Sequence, residues 1–538
     1  GGSAVGGVVN AIDNRIPRDK IDSTSGAIEA LLGGGATERG LSALVETGGA
    51  GFALHADAFK RRTDDLRVPA FDRPLDDGTT ARRTRIVNSD SNADGGALGG
   101  SMVWDHGYLG ASLDTYRNAY GTVAEEDVKI HMRRNKLALA GEVRDLGGVI
   151  STVRGQLGAT DYEHQEVQGD GTVGTTFKNK GTDLRLETVH RPMSMGDGKL
   201  DGAFGLQGEQ SRFNALGEEA FVPTTHTRQL AGFVYEQWTH GTQGHLSAGL
   251  RAERVHVDSD GDTEFSDGRF GPPQRSGFTP RSGSIGGLLN LSKEWQLTTH
   301  WAYTERAPVS YELYANGVHA ATGTFERGDR AQRKERGQNV DISLQWKRDT
   351  DSIKLGAFTS RFSNYIALMR SGDPDFVDAS GASFPVYEFR GVKARLQGFE
   401  IEGHWRVFSG RRHVDLDGHV DLVRGDNRSS GEPLPRIAPV RTTLGVNWES
   451  GPWTSRAEVV HAAKQSRVPS DDMPTPGWTL VNLSTAYNFN WSQNDVLLFV
   501  KLGNVGNRLA YNAASIATVR ALAPLPGRSL MAGVRVSF

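Results

Sequence analysis

The sequence has no cysteine, which removes disulfide frameworks, thiolate metal sites and cysteine nucleophiles together. It also lacks any apolar run near the 18 or more residues that a membrane-spanning helix requires. A helical membrane protein is therefore excluded. A β-barrel is not, because alternating strands dilute the hydropathy signal. There is no excess of charge: 61 Lys and Arg stand against 64 Asp and Glu, and without a sustained basic stretch the electrostatic footprint of a nucleic-acid binder is missing. No G-x-S-x-G elbow, H-E-x-x-H pair or P-loop occurs, so an enzyme would need a dispersed site. The opening GGSAVGG has no initiator Met, charged n-region or apolar h-region, and reads as cut from a longer protein.

What is present is a period of two. In "RRHVDLDGHVDLVRGD", Arg411 to Asp426, the residues His413, Asp415, Asp417, His419 and Asp421 take every second position. On a helix they would point in widely different directions, whereas on a strand they share one face. Val414, Leu416, Val420 and Leu422 occupy the opposite face. The arrangement recurs in "QNVDISLQW", with Val340, Ile342, Leu344 and Trp346 opposing Asn339, Asp341, Ser343 and Gln345, and in "FEIEGHWRV", with Phe399, Ile401, Trp405 and Val407 opposing Glu400, Glu402, His404 and Arg406.

Marked this way from Gly26 to Phe538, the chain yields about 22 strands, a number at which a closed antiparallel barrel has a wide lumen that needs a plug. Connections alternate between short and long. "RDLGG" (Arg144 to Gly148), "HGTQG" (His240 to Gly244), "RDTD" (Arg348 to Asp351) and "ESGP" (Glu449 to Pro452) are short, while Arg62 to Asp94, Asp258 to Pro280, Pro308 to Asp329, Gly372 to Pro385 and Asn507 to Ala523 are long and polar. Short turns at one end and long loops at the other are the pattern of an outer-membrane barrel. Of the 10 tryptophans, Trp104, Trp238, Trp295, Trp346, Trp405, Trp448, Trp453 and Trp491 lie in or near the short connections, as an interfacial aromatic girdle would require.

Several stretches resemble the TonB-dependent outer-membrane receptor family, most closely its zinc-uptake branch. They are "GGSAVGGVVNAIDNRIP" (Gly1 to Pro17), similar to the end of that family's plug domain, "TDYEHQE" (Thr160 to Glu166) with "GTTFKN" (Gly174 to Asn179), "ERAPVSYELYANGVHAATGTFERGD" (Glu305 to Asp329), "EPLPRIAPVR" (Glu432 to Arg441) and "LAPLPGRSLMAGVRVSF" (Leu522 to Phe538). The resemblance implies an all-β fold, a 22-stranded antiparallel transmembrane barrel over residues 23–538, with a remnant of the plug at residues 1–22. It implies a monomer in the bacterial outer membrane that contacts outer-membrane lipid and requires no cofactor. It further implies transport of a scarce ligand, zinc or another transition-metal ion or a metal chelate, driven by the TonB complex acting on the plug. A siderophore or small organic nutrient receptor, or a passive porin-like channel, remains open. Two features depart from the family: the TonB box is missing from this chain, and "YGTVAEEDVKIH" (Tyr120 to His131) carries one histidine where the metal-handling branch has a His-rich loop.

For the polar face of Arg411 to Asp426, a lumen wall meeting water explains the residues without a metal. Better metal candidates lie toward the long loops. Glu312, His319 and Glu326 follow the thirteenth strand, and His461 lies near the outward end of the nineteenth, where it is expected to face the same vestibule. One Glu with two His suits tetrahedral zinc. Asp161, Glu163, His164 and Glu166 form a second set at the outer end of the seventh strand, with loop packing as the plain alternative for both. "DSDGDTE" (Asp258 to Glu264) is reminiscent of a calcium loop, but Thr263 and Arg269 stand where an EF-hand needs Gly and Glu. "GDGTVG" (Gly169 to Gly174) matches G-x-G-x-x-G yet opens no helix, so it reads as a hairpin loop.

Overall fold

The computed structural model describes residues 12–538 except 76–77, 218–219, 265–267 and 380. Twenty-two long strands form one closed antiparallel barrel. In chain order they are β1 Ser25–Gly33, β2 Glu38–Gly49, β3 Phe52–Thr63, β4 Ser91–Trp104, β5 Gly107–Gly121, β6 Lys129–Val143, β7 Ile150–Val167 and β8 Val173–His190. Then follow β9 Gly198–Gly217, β10 Thr225–His240, β11 Gly244–Ser259, β12 Arg281–Asn290, β13 Trp295–Arg306, β14 Glu335–Arg348 and β15 Asp351–Arg370. The circuit ends with β16 Val386–Phe408, β17 Arg412–Asn427, β18 Arg441–Ser450, β19 Trp453–Ala462, β20 Trp478–Trp491, β21 Asn494–Gly503 and β22 Ser529–Ser537. Each pairs with the next, and β1 pairs with β22. The seam ends in two backbone bonds, Gly26 N–H to Phe538 O at 2.9 Å and Phe538 N–H to Gly26 O at 3.0 Å. No strand edge of the barrel wall is left open, which a hydrocarbon environment demands.

The alternation seen in the sequence becomes two walls. On β16, Phe399, Ile401, Trp405 and Val407 are exposed on the outside, whereas Glu400, Glu402, His404 and Arg406 face the lumen opposite Asp421, His419, Asp417 and Asp415 of β17. The regular histidine and aspartate series is therefore half of an ion-pair ladder. Arg406 Nε and Nη2 donate to the two Asp415 oxygens at 2.7 and 2.8 Å, and Arg456 of β19 donates to Asp417 at 2.5 and 2.8 Å. These carboxylates are held by arginines, as a polar lumen wall needs.

Reversals at one end are tight, and Gly241 (φ 48°) and Gly451 (φ 57°) adopt the left-handed backbone that two of these hairpins require. Trp104, Trp295, Trp405, Trp448, Trp453 and Trp491 are exposed at this end, and Trp346 stacks on Trp405 at 5.8 Å. The opposite end carries the long loops, together with shorter links such as those between β1 and β2 and between β7 and β8. One long loop contains its own hairpin, Arg67–Pro74 with Thr80–Arg85.

Residues 1–11 of the segment that resembles a plug lie outside the described residues. Beyond them the chain lines the inner wall near the tight turns, where Ile16 and Ile21 pack against Ala53, Val103 and Tyr108. Arg15 reaches Asp57 of β3 at 3.1 Å and Asp114 of β5 at 3.7 Å.

Candidate functional site

The loop between β13 and β14 folds inward over the mouth. It is fastened at its root by Arg306, whose guanidinium donates to both oxygens of Glu312 at 2.9 and 3.0 Å and to Glu335 at 3.2 Å. Glu312 lies in a short helix, Ser310–Tyr314, and also accepts the Val309 N–H at 2.9 Å. Burial pushes the Tyr314 phenol up, which keeps it a neutral donor, and it bonds the Val257 carbonyl at 2.8 Å.

Beyond this helix, Asn316–His319 and Thr324–Arg327 form a hairpin. Its second strand adds in parallel to the outer end of β16, pairing Phe325 with Val386. Its first strand crosses the β9–β10 loop, with Asn316 N–H donating to Phe221 O at 2.8 Å. Gly317 is needed there, since a Cβ would come within 2.8 Å of the Phe221 Cα.

His319 sits at the tip. Its Nδ1 lies 2.9 Å from Oε1 of the buried Glu326, to which Thr322 also donates at 3.1 Å. A carboxylate accepting from Nδ1 fixes the tautomer in which Nε2 carries a lone pair, the form that ligates metals. The imidazole stacks on Phe221 with centroids 4.3 Å apart, Phe221 neighbours Phe177 at 6.3 Å, and Phe177 stacks on His164 of β7 at 4.4 Å. Tyr162 OH stands 2.9 Å from His164 Nδ1. An aromatic column with a histidine at each end thus lines one side of the mouth. Below it, Asp57, Asp114, Lys136, Thr160, Ser211 and Thr227 border an open cavity of about 1020 Å³.

The structure separates the other expected ligands from this place. Glu312 is committed to Arg306. His461 shares its face with the exposed Val459 and bonds Thr479 Oγ1 at 2.8 Å, so it lies on the outer wall rather than in the vestibule. Asp161 and Glu163 pair across β8 with Lys180 and Lys178, each at 3.5 Å, while the inward positions of β7 are Tyr162, His164 and Glu166. Among the described residues, no three His, Asp or Glu side chains converge as a ready metal site. In the carboxylate-rich Asp258 to Glu264 stretch, Asp262 accepts the Phe270 N–H at 2.6 Å and Asp260 holds His226 at 3.2 Å. The Gly169 to Gly174 stretch spans the β7–β8 hairpin loop, where Asp170 caps Thr172. Sequence reasoning missed Phe177, Phe221, Arg306 and Glu335. Arg306 was visible beside Glu305 in the quoted motif, but Phe221 carries no local signal.

A family model described as TonB dependent receptor-like, beta-barrel matches residues 55–506. Among solved structures, the copper transporter OprC is similar with a TM-score of 0.77 at 16% identity, over 97% of this chain and 81% of that one. The FrpB iron transporter from Neisseria meningitidis gives 0.73 at 12% identity, over 97% and 83% of the two chains. The siderophore receptor PirA from Acinetobacter baumannii gives 0.72 at 13% identity, over 97% and 81%. At such identities the likeness is one of fold.

Proposed function

The chain belongs to the TonB-dependent receptor family, non-enzymatic transporters of the bacterial outer membrane, and from that premise we propose that its cargo is a transition-metal ion captured at the mouth as a small chelate. The family assignment sets aside the passive channel and an enzyme with a dispersed site. The observation that carries the proposal is the His319–Glu326 pair, a histidine whose tautomer is set for ligation by a buried carboxylate and whose ring, 29% exposed, stacks on Phe221. A bare zinc ion takes about four donors, and this geometry offers one oriented imidazole with a second, His164, at the far end of the column. A metal arriving with part of its coordination filled needs only one or two protein donors, and its organic portion gains from the Phe177 and Phe221 faces. Zinc retains support from the sequence resemblance, and a copper transporter among the similar folds makes copper the comparison metal. Energised release through the lumen would be the work of TonB acting on a plug, as the family implies.

Calorimetry on the purified protein in detergent, with Zn(II) and Cu(II) supplied bare and as a nitrilotriacetate chelate, tests the reading. Saturable binding of the chelate is expected, abolished in His319→Ala and weakened roughly 10- to 100-fold in Glu326→Gln, the usual loss when a ligand's orienting carboxylate is removed. Equal affinity in wild type and His319→Ala would overturn the site. Tighter binding of the bare ion than of the chelate would overturn the chelate and leave the ion as cargo.

A further inference from the structure

The loop between β21 and β22, residues 504–528, supplies no donor to the cargo site described above, yet it is fastened at three levels. Its base packs on the hairpin of the β3–β4 loop, where Leu509 and Ala523 meet Val68, Phe71 and Ile86. Its middle is held from the side: Trp478, at the start of β20, donates through Nε1 to Tyr511 O at 2.9 Å, and Arg436 of the β17–β18 loop donates through Nε to Ala514 O at 3.2 Å. A turn of helix, Ala517–Arg520, follows. There Arg520 donates through Nη1 and Nη2 to the two oxygens of Asp472, in the β19–β20 loop, at 3.0 and 2.8 Å. The same guanidinium donates to Met473 O at 2.9 Å and Thr475 Oγ1 at 3.2 Å. The Arg520 and Asp472 side chains are each 10% exposed, and separating a buried pair leaves both charges uncompensated. The anchorage is therefore stiff.

The tip of this loop reaches the turn that carries His319. β21 stands eight strands beyond β13 in the 22-stranded wall, so the contact is made across the mouth. Thr518 Oγ1 donates to the Thr322 carbonyl. Thr322 is the residue through which the donor pair is tied together: its hydroxyl lies 3.0 Å from the His319 carbonyl and 3.1 Å from Glu326 Oε1. The next N–H, that of Gly323, donates to the His319 carbonyl at 3.0 Å. Ala320–Thr322 is a single 3-10 turn, and a turn of three residues is not stable by itself. Its last carbonyl has no partner within the turn. A donor anchored elsewhere on the mouth fixes that carbonyl, and with it the imidazole and its carboxylate.

We propose that Thr518 is a positioning residue for the cargo site: the β21–β22 loop is a strut, anchored through Arg520 on Asp472, that holds the Thr322 carbonyl and thereby keeps His319 and Glu326 in the ligating arrangement. The inference rests on the reading of His319 as a metal ligand and adds to it a residue with no contact to metal or chelator. It also sets a dependence at a distance, because the orientation of His319 is governed from a carboxylate on a different loop.

The test uses the full chain in mild detergent, with the Zn(II) nitrilotriacetate chelate as probe and hydrogen exchange of the ligand-free protein as a second readout. Thr518→Val keeps the shape and removes the donor. It is expected to weaken chelate binding roughly 3- to 10-fold, the usual worth of one hydrogen bond, and to accelerate exchange across residues 316–327 while the strands stay protected. Thr518→Ser keeps the hydroxyl and should bind within twofold of wild type. Asp472→Asn should lose affinity in the same range as Thr518→Val, through the loosened strut. A cross-link supplies the reverse test: a Cβ on Gly323 would lie 4.0 Å from Thr518 Cβ, a separation that a disulfide spans, and the chain has no cysteine of its own. Oxidised Gly323→Cys with Thr518→Cys should bind at least as well as Gly323→Ala, which measures the strain that a side chain adds at φ 61°. Heat-modifiable migration on a gel reports that each barrel is folded. Where His319→Ala abolishes binding, a Thr518→Val affinity within twofold of wild type would overturn the strut and leave the reading of the mouth intact. Equal losses in Thr518→Ser and Thr518→Val, or unchanged exchange in Thr518→Val, would also overturn it. So would loss of binding in the oxidised pair alone, which would mean that the loop must withdraw to admit cargo. Where His319→Ala binds as the wild type does, the reading of the mouth itself fails.

Discussion

Replacing Arg306 by Ala is expected to unseat the loop between β13 and β14 while the barrel persists. The Arg306 side chain is 11% exposed and those of Glu312 and Glu335 are 8% and 6%, so all three charges have left bulk water. Each carboxylate has a further donor, the Val309 N–H for Glu312 and the Ile366 N–H for Glu335, both at 2.9 Å, but a single amide does not compensate a buried charge. Removing one partner of such a cluster costs about 3–5 kcal/mol because the others stay buried and uncompensated. The strands are held by continuous ladders on both sides, so the relief comes from the loop, which can swing Glu312 into solvent. Hydrogen exchange should accelerate across residues 307–334, including the hairpin of Asn316–His319 with Thr324–Arg327, with the β13 and β14 amides still protected. Unchanged protection of the loop would mean that its contacts at Tyr314 and Asn316 hold it without the guanidinium. Because His319 is carried on the same loop, the chelate affinity proposed for the mouth should fall in parallel.

The barrel was legible because each strand within the membrane zone must put apolar groups outside and polar groups inside. That requirement writes a period of two into the sequence and places the quoted loop after the thirteenth strand and His461 on the nineteenth. The same rule explains where legibility ends. Above the lipid band both walls meet water, so around Asp161 and Glu163 every position is polar and alternation cannot say which residues face the lumen. At "EVVHA" two successive valines leave the phase of His461 ambiguous, and only its pairing opposite Thr442 and Thr479 settles it. The stack of Phe221 on His319 joins residues far apart in sequence, brought together by barrel closure and an inward-folded loop. Glu312 looked like a free carboxylate because its partner, six residues earlier, belongs to the end of a strand.

Gly99→Val is expected to detach the N-terminal segment from the inner wall. Gly99 of β4 faces inward between His55 and Ser112 in the register, and a Cβ there would lie 1.7 Å from the Arg15 carbonyl oxygen and 2.8 Å from its carbon. The clash is with backbone, so no rotamer relieves it. On the neighbouring strand, a Cβ on Gly110 would meet Ile16 Cγ2 at 2.6 Å, so the two glycines together form the groove that seats this segment. Either the segment or β4 must yield. β4 is bonded along its length to β3 and β5, whereas the segment is held by Arg15 to Asp57 and Asp114 and by the packing of Ile16 and Ile21. Overpacking costs about 1–3 kcal/mol, which corresponds to a roughly 5- to 150-fold larger open population. Proteolysis follows that population when opening is fast, so trypsin cleavage after Arg15 and Arg18 should accelerate by a factor in that range. Asp57→Asn with Asp114→Asn should move cleavage in the same direction by removing the acceptors of Arg15 without touching the groove. Cleavage unchanged in Gly99→Val, with faster exchange of the β4 amides, would mean that the wall gives way first and that the segment is the stiffer of the two partners.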